Sequence, residues 1–175
     1  AFVRAKIDLK WHTVPQGTGA MCKMLRDDQL DMAVLVTEGA VRDILLGSPA
    51  RILSTVVDSP LTWGVHVGNG TGIKSPAELK GIPFAISRFN SGSHLMATVY
   101  AKKNGLVLTE KDFIIVNDLN GALERLRSKE PAIFLWEKAL TASYVHQGLL
   151  TRVDEITPEW PAFVVVVREE FLKEN

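Results

Sequence analysis

Residues 87–94 read SRFNSGSH, between an apolar run (GIPFAI, 81–86) and a segment with helical spacing. Small and hydroxylated residues at a strand-to-helix junction let backbone N–H groups approach a bound molecule. A helix start also carries unpaired N–H donors and the positive end of the dipole. That chemistry suits a carboxylate, sulfonate or phosphate group. A second turn, Gly17-Thr18-Gly19, has the same small-hydroxyl-small character and also leads into a helix bearing Met. Polar and aromatic residues recur at the other strand ends, as Thr37-Glu38, Asn117 and Trp136-Glu137. Convergent polar groups mark a pocket. The expected ligand-binding set is therefore Gly17, Thr18, Gly19, Thr37, Glu38, Asn90, Ser91, Gly92, Ser93, His94, Asn117, Trp136 and Glu137. The plainer alternative is that Thr18, Ser91 and Ser93 are N-caps. Trp63, Trp136 and Trp160 would likewise pack a core or hinge instead of stacking on a ligand.

Catalytic patterns are poorly matched. NSGSH is not the G-x-S-x-G nucleophile elbow. Ser93 and His94 are sequence neighbours, which do not face one another on a helix. A triad of Ser91 with His66 or His146 would have to assemble from distant parts. There is no phosphate-binding G-x-x-x-x-G-K-[ST] loop and no G-x-G-x-x-G after a strand. His12, His66, His94 and His146 lack metal-ligand spacing, and Cys22 is the one cysteine, so neither a zinc site nor an internal disulfide is expected. Glu38 and Glu137 could serve as an acid–base pair, but they also suit simple hydrogen-bond acceptance. No catalytic residue, metal or cofactor is assigned.

Composition narrows the partners. Twenty Lys and Arg balance twenty Asp and Glu, which argues against nucleic acid and anionic membrane surfaces. Hydrophobic residues make up 46% of the 175, the balance of a globular chain with room for one domain or two small lobes. No apolar run has the length of a membrane-spanning helix, so no direct membrane insertion is expected. The sequence opens on AFVRAKIDLKW without an initiator Met or a signal-peptide pattern, and the compartment stays open.

The elements that must position these turns alternate. Apolar alternation or short apolar runs predict strands over 7–14, 31–36, 50–57, 62–68, 82–87, 113–116, 132–136 and 161–169, with helices between most of them. This implies an α/β fold of mainly parallel sheets with right-handed crossovers, and a ligand at the strands' carboxyl ends. The segment 56–67 joins two extended runs with no helix between, as a hinge would. Asp58, Ser59, Pro60 and Trp63 form the expected hinge, with Trp160 and Pro161 on the return. The division expected is 1–58 for part of a first lobe, 59–159 for a second, and 160–175 for the return crossing and the start of a first-lobe helix.

The motifs VPQGTGAMCKMLRDDQLDMAVLVTEG, SRFNSGSHLMATVYAKKNGL, AIFLWEK and WPAFVVVVREEFLKEN together resemble the type II periplasmic-binding-protein-like superfamily. The likeness is to its sulfonate, taurine and thiamine-pyrimidine-precursor branch, and most to a small group of generic periplasmic-binding fold, typified in Candida albicans, with no assigned ligand. The resemblance implies two α/β lobes, joined by two crossing strands, that close over a small molecule. It implies a small polar or anionic ligand, sulfonate-, carboxylate- or pyrimidine-like. Thr18, Thr37, Glu38, Ser91, Ser93, His94, Asn117, Trp136 and Glu137 would line the cleft. An ABC-type permease is the implied partner, and a homodimer is a further arrangement. Transport implies a periplasmic or extracytoplasmic setting; a leaderless homologue would be cytoplasmic. Members of the superfamily begin with a further strand and helix and continue past the second crossing, so the first lobe is expected to be incomplete. Related pyrimidine-synthesising enzymes carry a cysteine-rich motif that Cys22 alone does not match. An enzyme on the same scaffold, acting on a pyrimidine or sulfonate compound, is the alternative. An effector-sensing domain of a transcription regulator is a third, without a helix-turn-helix here.

Overall fold

The apolar runs and their helical partners fall into a repeated order. In the computed structural model, which describes residue 4, residues 6–128 and residues 130–175, the chain runs α1 (Thr18–Arg26), β1 (Met32–Val36), α2 (Thr37–Leu45), β2 (Ala50–Val57), β3 (Trp63–Gly68), β4 (Phe84–Ile86), α3 (Gly92–Lys103), β5 (Phe113–Ile115), α4 (Leu119–Arg127), β6 (Ile133–Glu137), α5 (Lys138–His146), β7 (Leu150–Ile156), β8 (Phe163–Arg168) and α6 (Glu169–Glu174). Local chemistry fixes the helix starts. The Ser91 hydroxyl accepts the His94 N–H at 3.3 Å, and Asp118 accepts that of Gly121 at 2.9 Å. Glu137 takes the N–H groups of Ala139 and Leu140 at 2.8 and 2.7 Å. Each cap satisfies donors that the helix itself cannot.

The strands form two sheets, β1-β8-β2 and β5-β4-β6-β3-β7. The first lobe buries Cys22, Leu25, Leu35, Val164 and Val166 between its helices and sheet. The larger sheet is covered on both faces: Ile133 and Leu135 enter one core, and Phe134 between them enters the other. Three of its five strands, β4, β5 and β6, therefore carry α3, α4 and α5 on a fixed frame, with their first turns at the strands' carboxyl ends.

The expectation of mainly parallel sheets is corrected. Among the described residues only β4 pairs in parallel, with β5 and β6. β8 is antiparallel to β1 and β2, and β3 to β6 and β7. The crossover reasoning is sound for the strands that helices connect: β1 and β2 share a direction, as do β4, β5, β6 and β7. What it omits is that each lobe admits one strand from the far side of a crossing. β8 inserts between β1 and β2, and β3 between β6 and β7, and both run against their neighbours. The two lobes thus share one plan, with α1, β1 and α2 matching α4, β6 and α5 in length and spacing.

Two further differences concern single segments. Residues 7–14 form no strand: Ile7, Leu9 and Trp11 stand exposed, Trp11 at 74%. Alternation makes a strand only where a neighbour supplies N–H and C=O partners. β7 is an addition. Its Arg152, Asp154 and Glu155 mask the apolar pattern because it is an edge strand, where charge is tolerated.

The crossings, 58–62 and 157–162, lie side by side. The Ala162 N–H donates to the carbonyls of Val57 at 3.0 Å and Ser59 at 3.2 Å, and the Thr62 and Thr157 hydroxyls are 2.9 Å apart. Asp58, Ser59 and Pro60 lie in the first crossing, Trp160 and Pro161 in the second. Trp63 opens β3, 6% exposed and paired with Glu137 and Ile156.

Candidate functional site

Strand β1 passes into α2 without a loop, and the first helical N–H, on Thr37, donates to the Ala162 carbonyl at 3.1 Å. The equivalent N–H of the second lobe, on Lys138, donates to Thr62 at 3.0 Å. Each lobe therefore anchors one helix start to a crossing. Gly39 lets α1 and α2 abut: a methyl added there would meet the Thr18 methyl at 2.4 Å. The two helix starts of the first lobe form one surface.

The second lobe meets this surface through the 87–94 turn. The Arg88 guanidinium donates to the Gln16 carbonyl at 2.5 Å and lies over Gly17 and Gly19 at the start of α1. Gly92, at the start of α3, faces Glu38, whose Oε1 would be 3.7 Å from a methyl placed on it. The Trp160 indole N–H donates to Glu38 Oε2 at 3.1 Å, while Oε1 is buried without a partner among the described residues. Burial raises the Glu38 carboxyl above its ordinary range. Thr37 Oγ1 is likewise buried and unpartnered among the described residues.

Between the lobes lies a cavity of about 410 Å³. Thr18, Gly19 and Gly39 line it from the first lobe and Arg88, Phe89 and Asn90 from the second, with Arg26 and Arg42 reaching in from α1 and α2. Its volume falls in the range of small-molecule sites. A second hollow of about 350 Å³ lies on the other side of Arg88, lined by Gln16, Ser87, Asn117 and Asp118. Of the residues singled out by sequence, Thr18, Gly19 and Asn90 reach the first and Asn117 the second.

The others have different surroundings. Ser91 donates to the Arg88 carbonyl at 2.7 Å, and its hydroxyl is 3.0 Å from that of Ser93, which accepts the Ser87 N–H at 2.9 Å. These hydroxyls close the turn on itself. His94 accepts the Asn90 N–H at Nδ1, 3.0 Å, so its neutral ring carries the proton on Nε2. Its ring sits edge-on to Phe89 and Phe113. Burial, then the charge of Arg42, holds its pKa below the usual histidine value. Asn90 and Asn117 both take positive φ, 70° and 66°, which asparagine tolerates better than most residues. Trp136 stacks on Phe134, centroids 5.2 Å apart, and Glu137 spends its carboxylate capping α5. Sequence reasoning passed over Arg26, Arg42 and Ser48. They lie along or beyond helices and not at their starts, and only packing gathers them.

Comparison with known proteins gives a consistent picture. The family model described as Ca3427-like PBP (periplasmic binding protein) matches residues 63–156, the span from β3 to β7. The Candida albicans CA3427 gene product, of generic periplasmic-binding-protein fold, superposes with a TM-score of 0.90 at 23% identity over 99% of this chain and 58% of that one. PhnD1 from Prochlorococcus marinus, in complex with methylphosphonate, gives 0.73 at 15% over 98% and 68%. The aliphatic sulphonate binding protein SsuA from Escherichia coli gives 0.78 at 14% over 99% and 60%. At these identities the likeness shows the fold. The chain thus spans less than two thirds of the CA3427 protein's length. No curated protein matches the sequence.

Proposed function

We propose, starting from a chain that belongs to the Ca3427-like PBP family, that it is a solute-binding protein holding a small anionic or strongly polar organic molecule between its lobes. The observation that carries this reading is the interlobe cavity, which takes helix-start residues from one lobe and the Arg88–Asn90 turn from the other. A molecule touching both walls favours the closed arrangement by its differential affinity for it. Thr18, Gly19 and Asn90 contact the solute directly. Thr37, Glu38, Ser91, Gly92, Ser93 and His94 hold the two walls in register. Trp136 and Glu137 support the α5 start, and Asn117 serves the adjoining hollow. Asp58 to Pro60 and Trp160 to Pro161 flex, which divides the lobes near 58/59 and 159/160.

Among the relatives, PhnD1 was solved with methylphosphonate and SsuA is named for aliphatic sulphonates. A solute carrying a comparable oxyanion fits a cavity lined by three arginines, two from one lobe and one from the other. On the same analogy the chain serves as the binding component of an ABC-type import system and works outside the cytoplasm. Among the described residues no helix is long and apolar enough to cross a membrane.

The test is native mass spectrometry of freshly purified protein, followed by thermal melts with the retained molecule. A solute that is retained, raises the melting temperature saturably and is recovered unchanged supports binding; stabilisation at a hundredfold excess over Kd is worth about 2.7 kcal/mol. A chemically altered solute transfers the reading to catalysis. No retained molecule and no stabilisation by any phosphonate, sulfonate or carboxylate ends it.

A further inference from the structure

The walls of the interlobe cavity do not balance in charge. Arg26, Arg42 and Arg88 face it, against the single carboxylate of Asp43, which pairs with Arg26. Among the described residues neither Arg42 nor Arg88 forms an ion pair. One comes from each lobe, so closing the cleft brings like charges together across the cavity. Arg88 is placed worse still. It lies over the first turn of α1, a nine-residue helix whose start is the positive end of its dipole. A cation there is unfavourable unless an anion stands between. The Ser48 hydroxyl, 9% exposed and without a partner among the described residues, lines the same wall. A buried hydroxyl left unpaired costs free energy that a ligand oxygen can recover.

From this we infer that the solute is an organic dianion, bound between Arg42 and Arg88, and that the second negative charge is what admits closure. The inference rests on the solute-binding reading and adds the charge of the ligand. Two guanidinium groups without a carboxylate partner among the described residues, Arg88 being hydrogen-bonded to the neutral Gln16 carbonyl, are neutralised by a phosphate monoester or by a dicarboxylate; a monoanion leaves one of them uncompensated.

Two isosteric pairs separate charge from shape: methyl phosphate against methyl sulfate, and succinate against its monoamide. Calorimetric titration at pH about 8 places methyl phosphate in its dianionic form, since the second ionisation of a phosphate monoester lies near 6. The dianion of at least one pair binds about tenfold more tightly than its partner, and the pair in which this occurs identifies the source of the charges. For methyl phosphate the advantage disappears as pH falls below about 6. Arg42→Gln brings the preference close to unity, and Arg42→Lys retains most of it; the Lys variant also shows that the fold survives substitution at this position. Equal affinities within both pairs, or a preference unchanged in Arg42→Gln, overturn the inference. Absence of binding by all four probes overturns it too. Retention of a neutral or cationic solute in native mass spectrometry would then leave the binding reading standing, and no retained solute would remove both.

Discussion

His66 shows how a single residue can look functional in sequence and act structurally. It lies in the fully buried strand β3, at 0% exposure, with Nδ1 3.2 Å from the Phe134 carbonyl and Nε2 without a partner among the described residues. Burial, with Arg152 nearby, holds its pKa down to about 4 against an ordinary 6.5. The unfolded chain therefore binds a proton that the folded chain refuses between those values. This contribution to stability is fully present above pH 6.5 and is lost as pH falls towards 4, on the order of 3 kcal/mol across the window. Urea unfolding from pH 7 to 4 should show that loss, and His66→Asn should remove it while the carboxylate titrations remain. The sequence gives no sign of this burden, because the histidine's surroundings come from β6 and β7, about seventy to ninety residues further on.

Elements are also held by close backbone approaches. Gly121, in the first turn of α4, has no room for a side chain: an added methyl would lie 2.0 Å from the Val116 carbonyl oxygen, which is backbone and cannot turn away. Gly121→Ala should destabilise by about 2–4 kcal/mol, whereas Gly70→Ala, with open space around it, should be close to neutral. Denaturant midpoints of the two variants, at unchanged m-value, check the contrast. Most elements were legible from periodicity, since buried stripes must match helix or strand spacing. The exceptions failed for stated reasons. The 7–14 alternation pairs with no strand among the described residues, and β7 hides its two buried ends, Leu150 and Ile156, around an edge-strand run of charge. Strand direction was misread because the inserted strands β3 and β8 follow no helical crossover.

At the scale of the molecule, Thr18 and Gly19 line one cavity together with Asn90, while Asn117 lines another hollow, and the charges that give the first cavity its character were not legible. Arg26 ends α1 and Arg42 lies more than a turn into α2, where they read as ordinary solvated positions. The tie between crossing and lobe is equally non-local. Trp160→Phe removes the donor to Glu38 and leaves that half-buried carboxylate with neither oxygen paired. A loss of about 1–3 kcal/mol is expected in unfolding measurements at neutral pH, together with weaker stabilisation by solute, since the return crossing then keeps only the Thr37–Ala162 backbone bond to the α2 start. The insertion of β8 between β1 and β2 has a consequence in time as well. Among the described residues those two strands have no hydrogen-bonded partner until residues 163–168 arrive, so they wait for a segment more than a hundred residues further along the chain. The contiguous stretch from 63 to 156 can meanwhile complete its own sheet, and the order of assembly runs opposite to the order of translation.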